Sequence, residues 1–290
     1  MPELKHETVE ANGIRLHVAR AGDGPLMLFL HGFPEYWAMW RPLLEHFGAR
    51  GHCAVAPDMR GYNLSDKPAG VEAYKAKHLI ADVLALAAHY TREPFVLVAH
   101  DWGGAVAWGV ALAHPERLAR LVMINSPHPY IFWRELTRNP AQQKASEYML
   151  LFRSAKAERV LSENGYARLL GAFSDLEPQA RAALVEAWSR PGALTGGLNY
   201  YRASALYPPS PEDPGAARLS LEAKDFVVRV PTLVVWGERD AALLPGCLEG
   251  LEEVVPDLKL VRVPDATHWV AREKTALVIR EIENWMGMTP

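Results

Sequence analysis

Apolar residues fall into two kinds of spacing along this chain, and the boundaries between them outline its parts. From residue 26 to residue 126, short and nearly continuous apolar runs alternate with stretches of helical periodicity. LMLFL (26–30) predicts a strand, WAMWRPLLEHFGARG a helix closing on Gly51, and residues 52–56 a second strand. Residues 74–90 set Leu79, Val83, Leu86 and Tyr90 on one helix face. FVLVA (95–99) predicts a strand that runs straight into a small-residue helix, AVAWGVALA, and LARLVMINS (118–126) predicts the next strand. Ahead of these, HETVEANGIRLHVAR (6–20) predicts a hairpin turned at Asn12-Gly13. Strands that are apolar throughout, alternating with helices, indicate a mostly parallel sheet covered on both faces.

The pattern then changes. Residues 129 to about 222 hold no convincing β run but several helix-like stretches: WRELTRN, SEYMLLFRSAKAERVLSEN, YARLLGAF and PQARAALVEAWSR. The proline-rich YPPSPEDPGAAR (207–218) predicts an irregular connector. Alternation resumes with VPTLVVWGERD (230–240), DLKLVRVPDATH (257–268) and a closing helix, KTALVIREIENWM. The expected organisation is one α/β core domain made of residues 1–128 and 223–290, with a helical cap at 129–222 inserted between two of its strands.

Composition narrows the partners. The chain has 290 residues, 49% hydrophobic and 22% charged, with a net charge of -3 and no cluster of Lys and Arg, so no nucleic-acid partner is expected. Cys53 and Cys247 lack CxxC spacing, which argues against a disulfide framework or a thiolate metal site. The glycines at 103–104 and 196–197 lack the spacing of a nucleotide-binding loop. No cofactor or metal is expected. The opening MPELKHETVEANG has no apolar h-region, and no apolar run reaches the length of a membrane span. A cytoplasmic monomer or homodimer without a membrane partner is the expectation.

In an open parallel sheet, functional groups gather at the carboxyl ends of the strands. Those ends here carry HGFPE (31–35), HDWGG (100–104), GERD (237–240) and DATH (265–268). Asp101 stands between an apolar run and a Gly-Gly pair, where burying an unpaired carboxylate is unfavourable. Ala99-His100-Asp101-Trp102-Gly103 fits the small-X-nucleophile-X-small turn of a nucleophile elbow, with a helix N-terminus behind it to favour negative charge. Asp240 and His268 then follow in the chain order of the α/β-hydrolase group. His268 is expected as general base and Asp240 as the acid that fixes its tautomer. The backbone N–H groups of Phe33 and Trp102 are the expected oxyanion donors.

HGFPEYWAMW, the Asp-bearing HDWGG and MINSPHP together resemble the α/β-hydrolase-fold epoxide hydrolases, and the resemblance spans nearly the whole chain. HGFP is shared with relatives of other chemistry; HDWGG is more specific, because Asp replaces the Ser of esterases and lipases. A carboxylate can displace at a saturated carbon, as in opening an epoxide or expelling a halide. The resemblance implies a small apolar epoxide as substrate, an alkyl ester on Asp101, and hydrolysis of that ester by water activated by His268. It also implies two cap tyrosines that protonate the opening epoxide; EYMLLF and LNYYRAS carry these roles onto Tyr148 and Tyr201, with Tyr200, Tyr166 and Tyr207 as alternatives. Haloalkane or haloacid dehalogenases use the same nucleophile. Phe33, however, stands where many haloalkane dehalogenases have Asn, and Trp102, Gly103 and Gly104 stand where fluoroacetate dehalogenases carry arginines. A non-catalytic receptor on this fold would not need the set Asp101, Asp240 and His268.

Other polar residues have plainer readings. His31 and His100 are expected to shape their loops, and His114 to end a helix. Asp58 and Asp66 are expected as scaffold, and Glu238 is the rival to Asp240. Asn125 ends the strand after which some relatives place the acid, and an amide cannot fill that charged role. Trp37, Trp40, Trp102 and His128 are the expected substrate-contacting residues.

Overall fold

The computed structural model describes residues 3–173 and 176–288. Strands β1 (Lys5–Ala11) and β2 (Ile14–Ala21) form the N-terminal hairpin, with Ala11 opposite Ile14. Its two turn residues, Asn12 (φ 50°) and Gly13 (φ 76°), are both left-handed, which matches the right-handed twist of the flanking strands. With β3 (Leu26–Leu30), β4 (Cys53–Pro57), β5 (Phe95–His100), β6 (Leu118–Ile124), β7 (Thr232–Gly237) and β8 (Leu258–Val263), they make one eight-stranded sheet. The spatial order is β1-β2-β4-β3-β5-β6-β7-β8. The pairs β1/β2 and β2/β4 are antiparallel, and every later pair is parallel.

Side-chain alternation along the central strands builds two cores. Leu28, Leu30, Leu97 and Ala99 face one way, onto Leu86 of α2 (Ala76–Tyr90) and Val106 and Val110 of α3 (Asp101–Ala113). Met27, Phe29, Val96 and Val98 face the other way, onto Leu44 and Phe47 of α1 (Arg41–Ala49) and onto Val278 and Ile282 of the C-terminal helix (Thr275–Met286). Fully burying each Leu, Val, Ile, Phe or Met side chain among these contributes roughly 1.5–3 kcal/mol before conformational entropy is set against it. This is an α/β-hydrolase fold, with helices on both faces of a mostly parallel sheet.

Between β6 and β7 the chain forms α4 (Pro129–Arg138), α5 (Pro140–Ala145), α6 (Tyr148–Arg153), α7 (Ala157–Leu170), α8 (Pro178–Ser189) and α9 (Ala193–Ala203). The stretch 146–164, expected as one helix, is cut after Arg153, and α7 carries a left-handed turn at Asn164, Gly165 and Tyr166 (φ 51°, 63° and 64°). The Asn-Gly pair supplies the positive φ that the periodicity conceals. Helix α9 has no strong signal in the sequence, since Gly196 and Gly197 lower its propensity. Packing explains them: a Cβ on Gly196 would lie 2.3 Å from the Gly61 carbonyl oxygen. The indole N–H of Trp188 donates to the Pro34 carbonyl (2.6 Å) and that of Trp269 to the Ala172 carbonyl (2.7 Å). These bonds seat the inserted helices over the carboxyl ends of the strands. The short helices α10 (Leu251–Val254) and α11 (Val270–Glu273) precede the C-terminal helix, α12. Among the described residues, no helix is long and apolar enough to cross a membrane.

Candidate active site

β5 ends at His100 and α3 begins at Asp101, so the chain reverses direction within a single residue. Asp101 adopts φ 50°, a conformation that non-glycine residues accept only when their surroundings enforce it. The approach is close on both sides. A Cβ on Gly103 would lie 2.4 Å from the Leu30 carbonyl oxygen, and one on Gly32 would lie 2.1 Å from Asp101 Oδ1. The backbone N–H of Phe33 donates to Oδ1 at 2.7 Å, and the N–H of Trp102 also hydrogen-bonds the carboxylate. Burial pushes the Asp101 carboxyl above its ordinary pKa, against the pull of His268 and the two N–H groups.

His268 lies on the loop between β8 and α11, with Nε2 3.6 Å from Asp101 Oδ2. Its Nδ1 is 2.6 Å from Asp240 Oδ2. That contact keeps the proton on Nδ1 and turns Nε2 toward Asp101 and the cavity. Asp240 follows β7, and its side chain is fully buried. Its Oδ1 accepts from the N–H groups of Ala242 (2.8 Å) and Leu243 (2.9 Å), and Oδ2 also accepts from Asn125 Nδ2 (2.9 Å). Burial opposes the charge on Asp240. The His268 imidazole, the Leu243 N–H and the Asn125 amide nevertheless hold its pKa below the ordinary value. Burial likewise opposes a charged His268, but the two carboxylates outweigh it and push its pKa up to about 9.

Tyr148 opens α6 and Tyr201 stands in the last turn of α9. Their rings meet edge to face at 6.1 Å, and Tyr201 also meets Trp102 at 4.9 Å and Phe33 at 5.6 Å. Both phenols are held protonated far beyond the usual phenol range, first by burial, then by the Asp101 and Asp240 carboxylates for Tyr148 and by Tyr148 and Asp101 for Tyr201. Two chambers meet at Asp101, Tyr148 and Tyr201. The inner one, about 310 Å³, is walled by Trp102, Phe132, Met149, Leu206, Phe226 and Leu243. The outer one, about 500 Å³, is lined by Phe33, Pro34, Phe152, His268 and Trp269, with the exposed Glu147 and Arg168 also on its wall.

Several other expectations can be placed. Tyr200 donates its hydroxyl to the Arg60 carbonyl (2.9 Å), Tyr207 donates to Asp213 (2.8 Å), and Tyr166 packs on Trp188, so none of the three faces Asp101. Glu238 pairs with Arg262 at 3.0 Å. Asp58 takes His17, Asn63 and two backbone N–H groups, and Asp66 pairs with Arg15. His31 bonds the Gly32 carbonyl and the Met59 N–H, and His100 bonds the His268 carbonyl at 2.9 Å.

Three substrate-contacting assignments are corrected. Trp40 is fully buried on the opposite face of the sheet, against Phe29 and Phe47. Trp37 lies beside His6 and His17, in a separate depression. Both follow the HGFP loop after it has turned away from the strand ends, so nearness in sequence does not become nearness in space. His128 bonds the Phe226 carbonyl (2.9 Å) and stacks edge-on with Trp108; its neighbours Pro127 and Pro129, not His128 itself, line the inner chamber. Trp102 does line it. Sequence reasoning missed the supporting role of Asn125 and the apolar wall of Phe132, Met149, Phe226 and Leu243, residues whose type alone carries no chemical signal.

The profile of the α/β hydrolase fold family matches residues 25–275. An AB hydrolase superfamily protein of Bacillus subtilis (strain 168), YfhM, is 38% identical over 96% of each chain. Epoxide hydrolase 2 of Caenorhabditis elegans is 32% identical over 97% of this chain and 80% of its own. Among solved structures, the Bacillus megaterium epoxide hydrolase in complex with an inhibitor superposes with a TM-score of 0.89 at 33% identity, over 97% of this chain and all of that one. An epoxide hydrolase from metagenomes of hot environments gives 0.87 at 39% identity, over 99% of both. The chain belongs to the epoxide hydrolases of the α/β-hydrolase fold.

Proposed function

We propose that this protein converts epoxides to vicinal diols through a covalent ester on Asp101, with residues 129–222 serving as the cap that supplies the acid. One observation carries the reading. The Asp101 carboxylate has Oδ1 on the Phe33 N–H, the Trp102 N–H also bonded to it, and Oδ2 facing His268, beside two phenols that line the cavity.

In the first step Asp101 Oδ2 attacks an epoxide carbon as the carbon–oxygen bond of the ring breaks. The departing oxygen takes a proton from Tyr201 or Tyr148, whose phenols stay protonated at neutral pH. Ester formation removes the negative charge of Asp101, one of the charges that favours imidazolium at His268. The imidazole is thus more readily neutral, and free to take a proton, once the ester exists. Water then gives a proton to Nε2 and adds to the ester carbonyl carbon. Oδ1 carries the charge of the tetrahedral intermediate toward the N–H groups of Phe33 and Trp102. Collapse breaks the bond between the acyl carbon and Oδ2, and that oxygen leaves with the diol. The proton on His268 makes good the one lost by the tyrosine, so the sum is epoxide plus water. Chambers of about 310 and 500 Å³ on the two sides of Asp101 suit a small apolar epoxide with a substituent in either. The dehalogenase reading needs a pair of free halide donors, whereas the Trp102 indole interacts with Tyr201.

His268→Ala incubated with a terminal aryl epoxide is expected to gain one substrate mass on the peptide holding Asp101. A side-by-side assay of the wild type with a bromoalkane is expected to release little halide. No adduct on a variant that still binds the epoxide, or halide release matching diol formation, would overturn the reading.

A further inference from the structure

We infer that Asn125 is a positioning residue for the second half of the reaction: its side-chain amide aims the Asp240 carboxylate at His268. The inference rests on the two-step reading above.

Asn125 comes immediately after β6, is fully buried, and adopts φ 37°. Side-chain ladder bonds extend the β6/β7 pairing beyond Ile124↔Val235. The Gly237 N–H donates to Asn125 Oδ1 (2.8 Å), and Asn125 Nδ2 donates back to the Gly237 carbonyl (3.2 Å). The Gly237 N–H needs an acceptor, which fixes the orientation of the amide and directs Nδ2 away from it. One proton of Nδ2 is used there. The other goes to Asp240 Oδ2, the oxygen that also receives His268 Nδ1–H. The amide therefore spans two strand ends and donates to the triad acid in a water-poor site, where orientation is strongly enforced.

The residue type at this position has chemical consequences. A carboxylate there would offer Asp240 an acceptor in place of a donor and set two negative charges in hydrogen-bonding range. An apolar side chain would leave Gly237 and Asp240 short of partners. Only a group that is neutral, donates twice and accepts once fits. The groups facing His268 are Asp240, Asp101, His100 (ring centroids 4.6 Å apart) and, more distantly, Glu273. His100 is held neutral by burial, with its pKa lowered to about 3, so the balance on His268 is set mainly by the carboxylates.

The test uses Asn125→Asp and Asn125→Ser in single-turnover experiments with a terminal aryl epoxide, followed from pH 6 to pH 10. Alkylation of Asp101 is expected to stay near the wild-type rate. The acid limb of ester hydrolysis is expected to move up by about one pH unit in Asn125→Asp, which is about a tenfold slower hydrolysis at neutral pH. In Asn125→Ser, which adds no charge but aims Asp240 less well, it is expected to move down instead, with hydrolysis slowed across the pH range. Because the ester then accumulates, kcat and KM are expected to fall together. An NMR titration of the His268 imidazole in the free enzyme reads the same contact without turnover, and so separates failure of this inference from failure of the two-step scheme. An unmoved His268 titration with an unmoved acid limb, or equal slowing of both half-reactions, would reduce Asn125 to a sheet-completing residue.

Discussion

Asp101 and Asp240 lie on opposite sides of one imidazole, and their surroundings differ in a way that separates their roles. Asp240 has a fully buried side chain, and its oxygens accept from Ala242, Leu243, Asn125 and His268. Asp101 has Oδ1 held by the Phe33 N–H, with the Trp102 N–H also on the carboxylate, while Oδ2 lies 3.6 Å from His268. Saturation with donors lowers one pKa and leaves that carboxylate a fixed charge. Under-saturation in a buried corner raises the other and leaves it a nucleophile. The identity of the side chain is the same; the supply of donors assigns the work.

The sharpest way to break the comparison is to remove the fixed charge. Asp240→Asn preserves the shape but offers His268 an amide, which disturbs both tautomer and imidazolium. Hydrolysis of the ester is expected to fall on the order of 10⁴-fold, while alkylation by Asp101 changes little. Rapid-quench mass spectrometry of the Asp101 peptide checks this. Equal loss in both steps would mean that Asp240 supports the nucleophile rather than the base.

Much of this contrast was legible in the sequence. The elbow around Asp101 is written in residue size, because a sharp strand-to-helix turn tolerates only small neighbours such as Ala99 and Gly103. Asp240 follows the apolar run TLVVWG and His268 the mixed strand LKLVRV, and a parallel sheet brings strand ends together. What escaped depends on packing. Trp37 and Trp40 adjoin the Phe33 loop in sequence but leave the site, one to a separate depression and the other to the opposite core. Helix α9, which carries Tyr201, is weak by propensity, and its glycines are explained by contact with the Gly61 loop. Asn125 is a residue of ordinary type whose role arises from a partner 115 positions away.

The acid side of the reaction offers a smaller effect that bears on Asp101 alone. Tyr201 packs edge-on against both Trp102 and Phe33, the residues whose N–H groups hold Asp101, whereas Tyr148 is only half-buried. Tyr201→Phe is expected to slow alkylation by on the order of 10²-fold, and Tyr148→Phe by less. Ester hydrolysis is expected to keep its rate in both, which stopped-flow tryptophan fluorescence can resolve. If Tyr148→Phe is the more damaging change, the order of the two acids is reversed.

The smallest effect is on stability, and there the two carboxylates part in sign. Burial holds the pKa of Asp101 above its unfolded value, so its ionisation lowers stability at neutral pH. Asp101→Asn is therefore expected to abolish turnover and yet raise Tm by a few degrees at pH 7. This gain fades as pH falls through the carboxylate range, where the wild-type side chain is neutral in both states. Asp240 has a lowered pKa, and its contribution is present above the unfolded carboxylate pKa and lost in acid. Asp240→Asn is expected to lower Tm at pH 7. It also removes the main reason that His268 is pushed from 6.5 to about 9. The raised histidine stabilises the fold fully below about pH 6.5 and stops doing so as pH rises through about 9, so wild-type Tm is expected to decline across that window. In Asp240→Asn that decline flattens, while in Asp101→Asn most of it remains because Asp240 is still in place. Differential scanning calorimetry across the window decides the matter: Tm shifts of the same sign in both Asn variants would mean that donor supply does not distinguish the two carboxylates.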